Sequence, residues 1–235
     1  MISIITSLYR TDGYIEKYAK RLEKCAAVLT KCGVCFEVIC IANDPTEFEK
    51  RITKKLLANP WFKLAEVPRE SLYSTWNRGV TIAKGSICTF WNVDDIRFPK
   101  ALVEGDRIIT SGLADIVYFP FIYKRYIRIF NFLFLAKRRV IMPQLFNMEI
   151  FIKTMQCGPF FMFSKEIANK IGLFDETYRI AGDYEWCARA AKQGARFERN
   201  QTIAGIFTSD GKTLSGSKNP LQATENARVV TTHTQ

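Results

Sequence analysis

Short apolar, β-branched runs alternate with segments of helical period through the first half of the chain. That alternation restricts the fold more than any other feature of the 235 residues. Residues 2–8 read as a buried strand. Asp12 can cap a following helix whose apolar positions, Ile15, Tyr18, Leu22, Cys25 and Leu29, recur at steps of three and four. Gly33 stands where a left-handed residue commonly closes a helix. Strands over 35–42, 62–67 and 87–91 follow, separated by helices over 46–58 and 71–84. Pro99 opens a helix to about Ser111, and 115–123 reads as a fifth strand. Helices of crossover length between consecutive buried strands predict an α/β fold: a mostly parallel central sheet with helices on both faces.

The chain is less regular after Tyr123. Gly158-Pro159 precedes an apolar run over 160–163, Ser164 can cap a short helix ending at Gly172, and Gly182-Asp183 opens a helix running to Gln193. From Thr208 the sequence is polar and rich in Gly, Ser and Asn, and a mobile tail over 208–235 is expected. Nothing resembles a linker, a repeat or a low-complexity tract, so 1–235 is expected to form a single domain.

Composition removes several chemistries. The single histidine, His233, makes Ser-His-Asp and Cys-His catalysis and His-rich zinc sites untenable, so acid–base work falls to carboxylates, Lys, Tyr or Cys. A lone histidine so near the end is expected to be exposed. Cysteine occurs an odd seven times, and the opening MISIITSL has neither a basic leader nor a cleavage site. A reducing, cytoplasmic location is the expectation. Cys32-Gly33-Val34-Cys35 closes a helix rather than opening one and has no second pair or histidine beside it, so structural thiols are expected. Lys plus Arg number 34 against 23 Asp plus Glu, a net charge of +11 that favours anionic partners.

In open α/β sheets, ligands bind at the carboxyl ends of the strands. Three ends carry polar groups: Thr6 to Arg10, Asn43-Asp44, and Asn92-Val93-Asp94-Asp95. The adjacent carboxylates of Asp94 and Asp95 repel unless a cation or hydrogen bonds compensate. Hard oxygen ligands suit Mg²⁺ or Mn²⁺ with substrate phosphates. The competing reading is a turn in which the two aspartates cap the next helix.

Here the sequence resembles a known family. WNRGVTIAKGSICTFWNVDDIRFPKAL resembles the core of the family-2 inverting glycosyltransferases of the GT-A fold, through Asn77-Arg78-Gly79, Ala83-Lys84-Gly85, the apolar strand, a D-x-D-like turn and Pro99. SIITSLYRTDGY is similar to that family's first strand and base-binding loop, and GPFFMFSKEIANKIGLFDETYRIAGDYEWCARAAKQG to its acceptor side. The resemblance runs over 2–207. It implies a GT-A-like fold with a nucleotide-sugar half over about 1–100 and an acceptor half over about 101–207. It implies transfer of a hexosyl-type sugar from a nucleotide-diphosphate donor to a glycan or lipid-linked acceptor, in surface polysaccharide or glycolipid synthesis. Asp94 would hold Mn²⁺ or Mg²⁺, with Asp95 beside it, and Asn92 would take the first place of D-x-D, where the family has Asp. Thr6, Tyr9, Asn43 and Asp44 would surround the base, and Arg78 would approach the phosphates. Asp183 would be the general base, with Gly182 in place of the family's glutamate; the competing reading is a helix N-cap. Thr213-Leu214-Ser215, Gln222 and Glu225 resemble the C-terminal loop that folds over the donor.

Residues 116–148 contain no acid but six basic residues and nine aromatics. Neither a helical nor a strand period fits this segment. Two readings stand: a wall of the acceptor site, or peripheral contact of 124–139 with anionic membrane. Two other functions compete with sugar transfer. A metal-dependent nucleotidyltransferase would need a Gly-rich, Lys-containing triphosphate loop that strand one lacks. A basic non-catalytic module binding membrane or nucleic acid is the other; no nucleic-acid motif accompanies the charge, and no such partner is expected.

Overall fold

The computed structural model describes residues 1–130, 132–210 and 219–234. Strands β1 (Ile2–Leu8), β2 (Phe36–Asn43), β3 (Phe62–Val67) and β4 (Ile87–Phe90) are mutually parallel where they pair. With β6 (Ile116–Tyr118), β9 (Met162–Ser164) and β10 (Phe197–Arg199) they make a seven-stranded sheet in the order β10-β6-β9-β4-β1-β2-β3. Only β9 runs against its neighbours, β4 and β6. The smaller sheet, ordered β5-β11-β7-β8, is built from β5 (Ile96–Arg97), β7 (Phe121–Ile129), β8 (Phe132–Ile141) and β11 (Gly205–Ser209).

The central strands are buried on both sides, as their unbroken apolar runs require. Ile2, Ile4, Leu8, Val38 and Cys40 face one layer, with α1 (Ile15–Lys31), α2 (Glu47–Leu56) and α4 (Pro99–Thr110). Ile5, Ile39 and Ile41 face the other, with α3 (Leu72–Ile82), α6 (Lys165–Ile171) and α7 (Gly182–Lys192). That second layer is aromatic: Trp76 stacks on Phe90 at 3.9 Å between ring centroids, and Phe174 stacks on Trp186 at 5.3 Å. Each such side chain contributes about 1.5–3 kcal/mol by leaving water. Gly79 allows the approach of α3 to β1, since a Cβ there would stand 2.4 Å from Ile5. The expected parallel sheet with helices on both faces is therefore present.

Four local expectations change. Asp12 does not cap α1, whose N-cap is Tyr14 without a side-chain bond; Asp12 instead accepts from the Thr46 hydroxyl at 2.6 Å. The fifth strand divides at Phe119-Pro120 into β6 and β7, because proline has no N–H for a continuous ladder. The segment that fits neither period is the β7–β8 hairpin, closed around residue 130 and following α4 and β6; a short helix α5 (Met148–Lys153) comes after it. The expected mobile tail contains a helix, α8 (Pro220–Thr234), that packs on α7 through buried Glu225, Val229 and His233. Its anchors are spaced by four residues but include only one aliphatic side chain, so composition concealed it. Thr213-Leu214-Ser215 lie outside the described residues.

Candidate active site

Placing β4 beside β1, on the opposite side from β2, reverses the strand order between β1 and β4. The crevice at their carboxyl ends is the place where open sheets take ligands. Tyr9 and Asp44 reach this edge as accessible groups. The Arg69 guanidinium lies 4.7 Å from the centroid of the exposed Tyr9 ring. Asp44 adopts a left-handed φ of 43° and meets Arg10 at 3.1 Å, with both side chains largely in water.

Thr6 and Asn43 are placed otherwise. The buried Thr6 hydroxyl is shared with the Tyr18 hydroxyl at 2.6 Å and donates to the Trp91 carbonyl at 3.1 Å. The buried Asn43 amide donates to the Leu8 carbonyl at 3.3 Å and accepts from the Glu70 amide at 3.3 Å and the Thr75 hydroxyl at 3.2 Å. Both side chains are thus buried and committed to hydrogen bonds within the protein. Arg78 forms a two-pronged pair with Glu70, at 3.1 and 2.8 Å, and its guanidinium already has a carboxylate partner.

The turn after β4 separates its two aspartates. Neither caps α4, whose N-cap is Phe98 followed by Pro99. Asp95 is buried; its carboxylate accepts from the Thr208 amide at 3.1 Å and from the Asn92 side chain. Burial, then the charge of Asp94, holds its carboxyl well above the usual range. Asp95 therefore ties the turn to β11, which sequence reading had not foreseen. Asp94 is less enclosed, and its proton affinity is raised by burial and by the negative charge of Asp210. Asp210 in turn accepts from the Tyr14 hydroxyl. A carboxylate whose proton affinity is raised by a second carboxylate makes with it a donor set suited to a hard divalent cation. Among the described residues, no group of three His, Cys, Asp or Glu side chains is gathered for a metal. An ion here would complete its shell with water and phosphate oxygens, as Mg²⁺ commonly does.

Asp183 opens α7 but is not its cap; Ala181 occupies that position. The Asp183 Oδ1 accepts from the Tyr184 amide at 2.9 Å and from the Tyr73 hydroxyl at 3.3 Å. Burial, helped by the charge of Glu225, raises its pKa to about 6. Tyr73 lies in the first turn of α3, which leaves the carboxyl end of β3. Asp183 is consequently on the same edge of the sheet as Asp94. Gly182 is required by this contact, because a Cβ there would stand 2.6 Å from the Tyr73 ring. The segment leading into α7 is pinned by Glu225 of α8, whose carboxylate accepts from the amides of Arg179, Ile180 and Ala181 at 2.8–2.9 Å.

Tyr73, Arg69 and Asp210 were not singled out by sequence reading. Tyr73 stands four residues before Asn77-Arg78-Gly79 on the same helical face, a usable signal. Asp210 gives none, since it meets Asp94 only through tertiary packing. His233, expected to be exposed, is buried with Nε2 3.3 Å from Glu185, and burial lowers its pKa.

No protein-family model matches the chain, and no curated protein matches it in sequence. Solved structures do. S. aureus TarS 1-349 in complex with UDP-GlcNAc superposes with a TM-score of 0.74 at 16% identity, covering 99% of this chain and 66% of that one. The fold is shared with a glycosyltransferase. The TarS 1-349 complex with UDP gives a TM-score of 0.73 at 17% identity over 99% of this chain and 64% of that one. Against a longer TarS structure the TM-score is 0.73 at 16% identity, with 98% and 39% covered. The present chain thus spans just under two thirds of TarS 1-349 and far less of the longer protein.

Proposed function

We propose that this protein is an inverting glycosyltransferase of the family-2, GT-A type. It would move a hexosyl-type sugar from a nucleotide-diphosphate donor to a hydroxyl of a glycan or lipid-linked acceptor, in surface polysaccharide or glycolipid synthesis. The observation that carries the proposal is the carboxyl of Asp183, raised to about 6 and oriented by Tyr73, on the strand edge that also carries Asp94 and Asp210. The UDP and UDP-GlcNAc complexes of TarS favour a uridine donor as the first to test.

Inversion requires a carboxylate that accepts the acceptor's hydroxyl proton while that oxygen attacks the anomeric carbon and the bond to the diphosphate breaks. A carboxyl with a pKa near 6 is ionised at neutral pH, yet basic enough to share a proton in the transition state. Tyr73 and the Tyr184 amide hold its Oδ1 by hydrogen bonds. Asp94 and Asp210 would hold Mn²⁺ or Mg²⁺. Bound there, the ion would supply positive charge to the departing diphosphate. Tyr9 offers a ring face for a base, with Arg69 already stacked beside it. Arg10 and Arg69 bring positive charge near the same strand end.

The test is a screen of nucleotide sugars with and without Mn²⁺, reading released nucleoside diphosphate. Release from at least one donor that depends on the ion and on Asp183 supports the reading. No release from any donor, together with a melting temperature unmoved by nucleoside diphosphates plus Mn²⁺, overturns it.

A further inference from the structure

In the β7–β8 hairpin the base of β7 is buried at Phe121 and Ile122, while the fold leaves β8 largely exposed. Strand β8 is exposed from residue 132 to residue 140. Toward the turn both strands are apolar in sequence except for Arg128, which pairs with Leu133: Phe130 is 91% exposed, Phe132 71%, and Phe134 and Leu135 about half. Cross-strand partners share a face, so the pairs Tyr126–Leu135 and Ile127–Phe134 put apolar groups on both faces of the ribbon. No face is left that a single protein surface would cover in the ordinary way.

The base of the ribbon has the opposite character. Lys124 faces Arg138 and Arg125 faces Lys137 across the ladder, with Arg139 beside them over the Tyr123 ring at 5.4 Å. Like charges directly opposite each other are destabilising. The ion pairs among the described residues include none of these four, and 116–148 contains no acid to supply one. An apolar end above a basic collar matches the cross-section of an anionic bilayer surface, with acyl chains inside and phosphates outside.

We propose that the hairpin is a membrane-contact element that seats its apolar end among the lipids of an anionic bilayer, with Lys124, Arg125, Lys137 and Arg138 on the headgroup phosphates. The backbone sets the depth. Among the described residues, β11 pairs with β7 only at 122–125, and the outer edge of β8 is unpaired. Amides on open edges cannot enter hydrocarbon without large cost. The largely apolar arms, roughly 13 Å long at about 3.3 Å per residue and carrying the one charge of Arg128, therefore stop at the headgroup–acyl boundary. No helix among the described residues is long and apolar enough to cross a membrane, so the hairpin would act as a surface anchor. This inference does not depend on the sugar-transfer reading.

Flotation with phosphatidylcholine vesicles, with and without phosphatidylglycerol, tests it on the full chain. The protein should float with the anionic vesicles and stay behind with the neutral ones, and added salt should release it. The double variant Lys137→Glu, Arg138→Glu should bind anionic vesicles more than about tenfold more weakly, since each basic residue near the surface is worth about a factor of five. Phe130→Ser with Phe132→Ser should weaken binding by a similar factor. Phe132→Trp, which keeps the apolar character, should bind like the parent and show a blue-shifted emission quenched by lipids brominated near the headgroup end of the chain. Absence of flotation on anionic vesicles overturns the proposal. So does binding unaltered by both double variants, or an indole emission from the Phe132→Trp variant that vesicles leave unchanged. A lipid-free dimer in sedimentation, broken by the serine pair, would make the hairpin a contact between copies and would equally overturn it.

Discussion

The turn after β4 and the start of α7 each present a carboxylate whose proton affinity burial raises, and they differ in what stands beside it. At the turn, two aspartates adjacent in sequence take different parts. Asp95 is buried and bonded to the Thr208 amide, while Asp94 stays partly accessible opposite Asp210. At α7 the cause is mainly burial, with Tyr73 and one backbone amide as partners. Burial is the first cause at both, so what separates them is the neighbour: a carboxylate facing a second carboxylate can be relieved by a cation between them, whereas one held by a hydroxyl and an amide can be relieved by a proton. The first suits holding a metal and diphosphate, the second suits taking a proton.

The largest expected effect separates those tasks. Asp183→Asn should lower the turnover of sugar transfer by about 10²–10⁴-fold, while the melting shift caused by nucleoside diphosphate plus Mn²⁺ remains. Normal transfer by that variant would remove the base assignment. Next is stability. A carboxyl whose folded pKa lies above its unfolded value binds its proton more tightly when folded. Ionising it therefore subtracts stability as pH rises from about 4 to about 6, by up to ~3 kcal/mol before solvent screening. Asp183→Asn should thus raise the denaturant midpoint near pH 8 and change it little near pH 4; a loss near pH 8 would show that the ionised carboxylate is stabilised in the fold.

Asp94→Ala should abolish the nucleotide-plus-metal melting shift, worth about 2.7 kcal/mol at a hundredfold excess over Kd. Asp95→Asn should preserve it, because that carboxylate serves the turn; equal loss in both variants would erase the distinction between the neighbours. Gly182→Glu should destabilise by about 1–3 kcal/mol through overpacking on Tyr73. Calorimetry on this variant and on its combination with Tyr73→Ala should show a non-additive partial recovery. The smallest effect concerns the acid limb of the rate profile, expected near pH 6. Removing the neighbouring negative charge with Glu225→Gln should move that limb to lower pH, since Glu225 contributes to the raised pKa of Asp183.

Legibility followed locality. The sheet strands β1 to β4 and the intervening helices could be read because their signals lie within a few residues. The helix expected from residue 46 starts there, with Thr46 as its N-cap, and Gly33 is left-handed as its position after α1 led one to expect. The hairpin escaped because it is apolar without burying a face, so neither period applies. Helix α8 escaped because a carboxylate on three amides anchors it where apolar bulk would ordinarily be expected. In the candidate site, Asp94 and Asp183 were recognisable by type and position. The inward use of Thr6 and Asn43, and the pairing of Arg78 with Glu70, depend on groups tens of residues away or on a specific rotamer.

By itself the sequence determined the alternation of strand and helix, the excess of positive charge, and the removal of histidine-based catalysis that a single histidine near residue 235 imposes. Each is a property of local pattern or of composition. The tertiary structure alone decided which of two neighbouring aspartates stays accessible, that Tyr73 rather than a glutamate flanks Asp183, and that Asp210 stands near Asp94. Those outcomes depend on desolvation and on long-range hydrogen bonds, which exist only after distant segments have packed together.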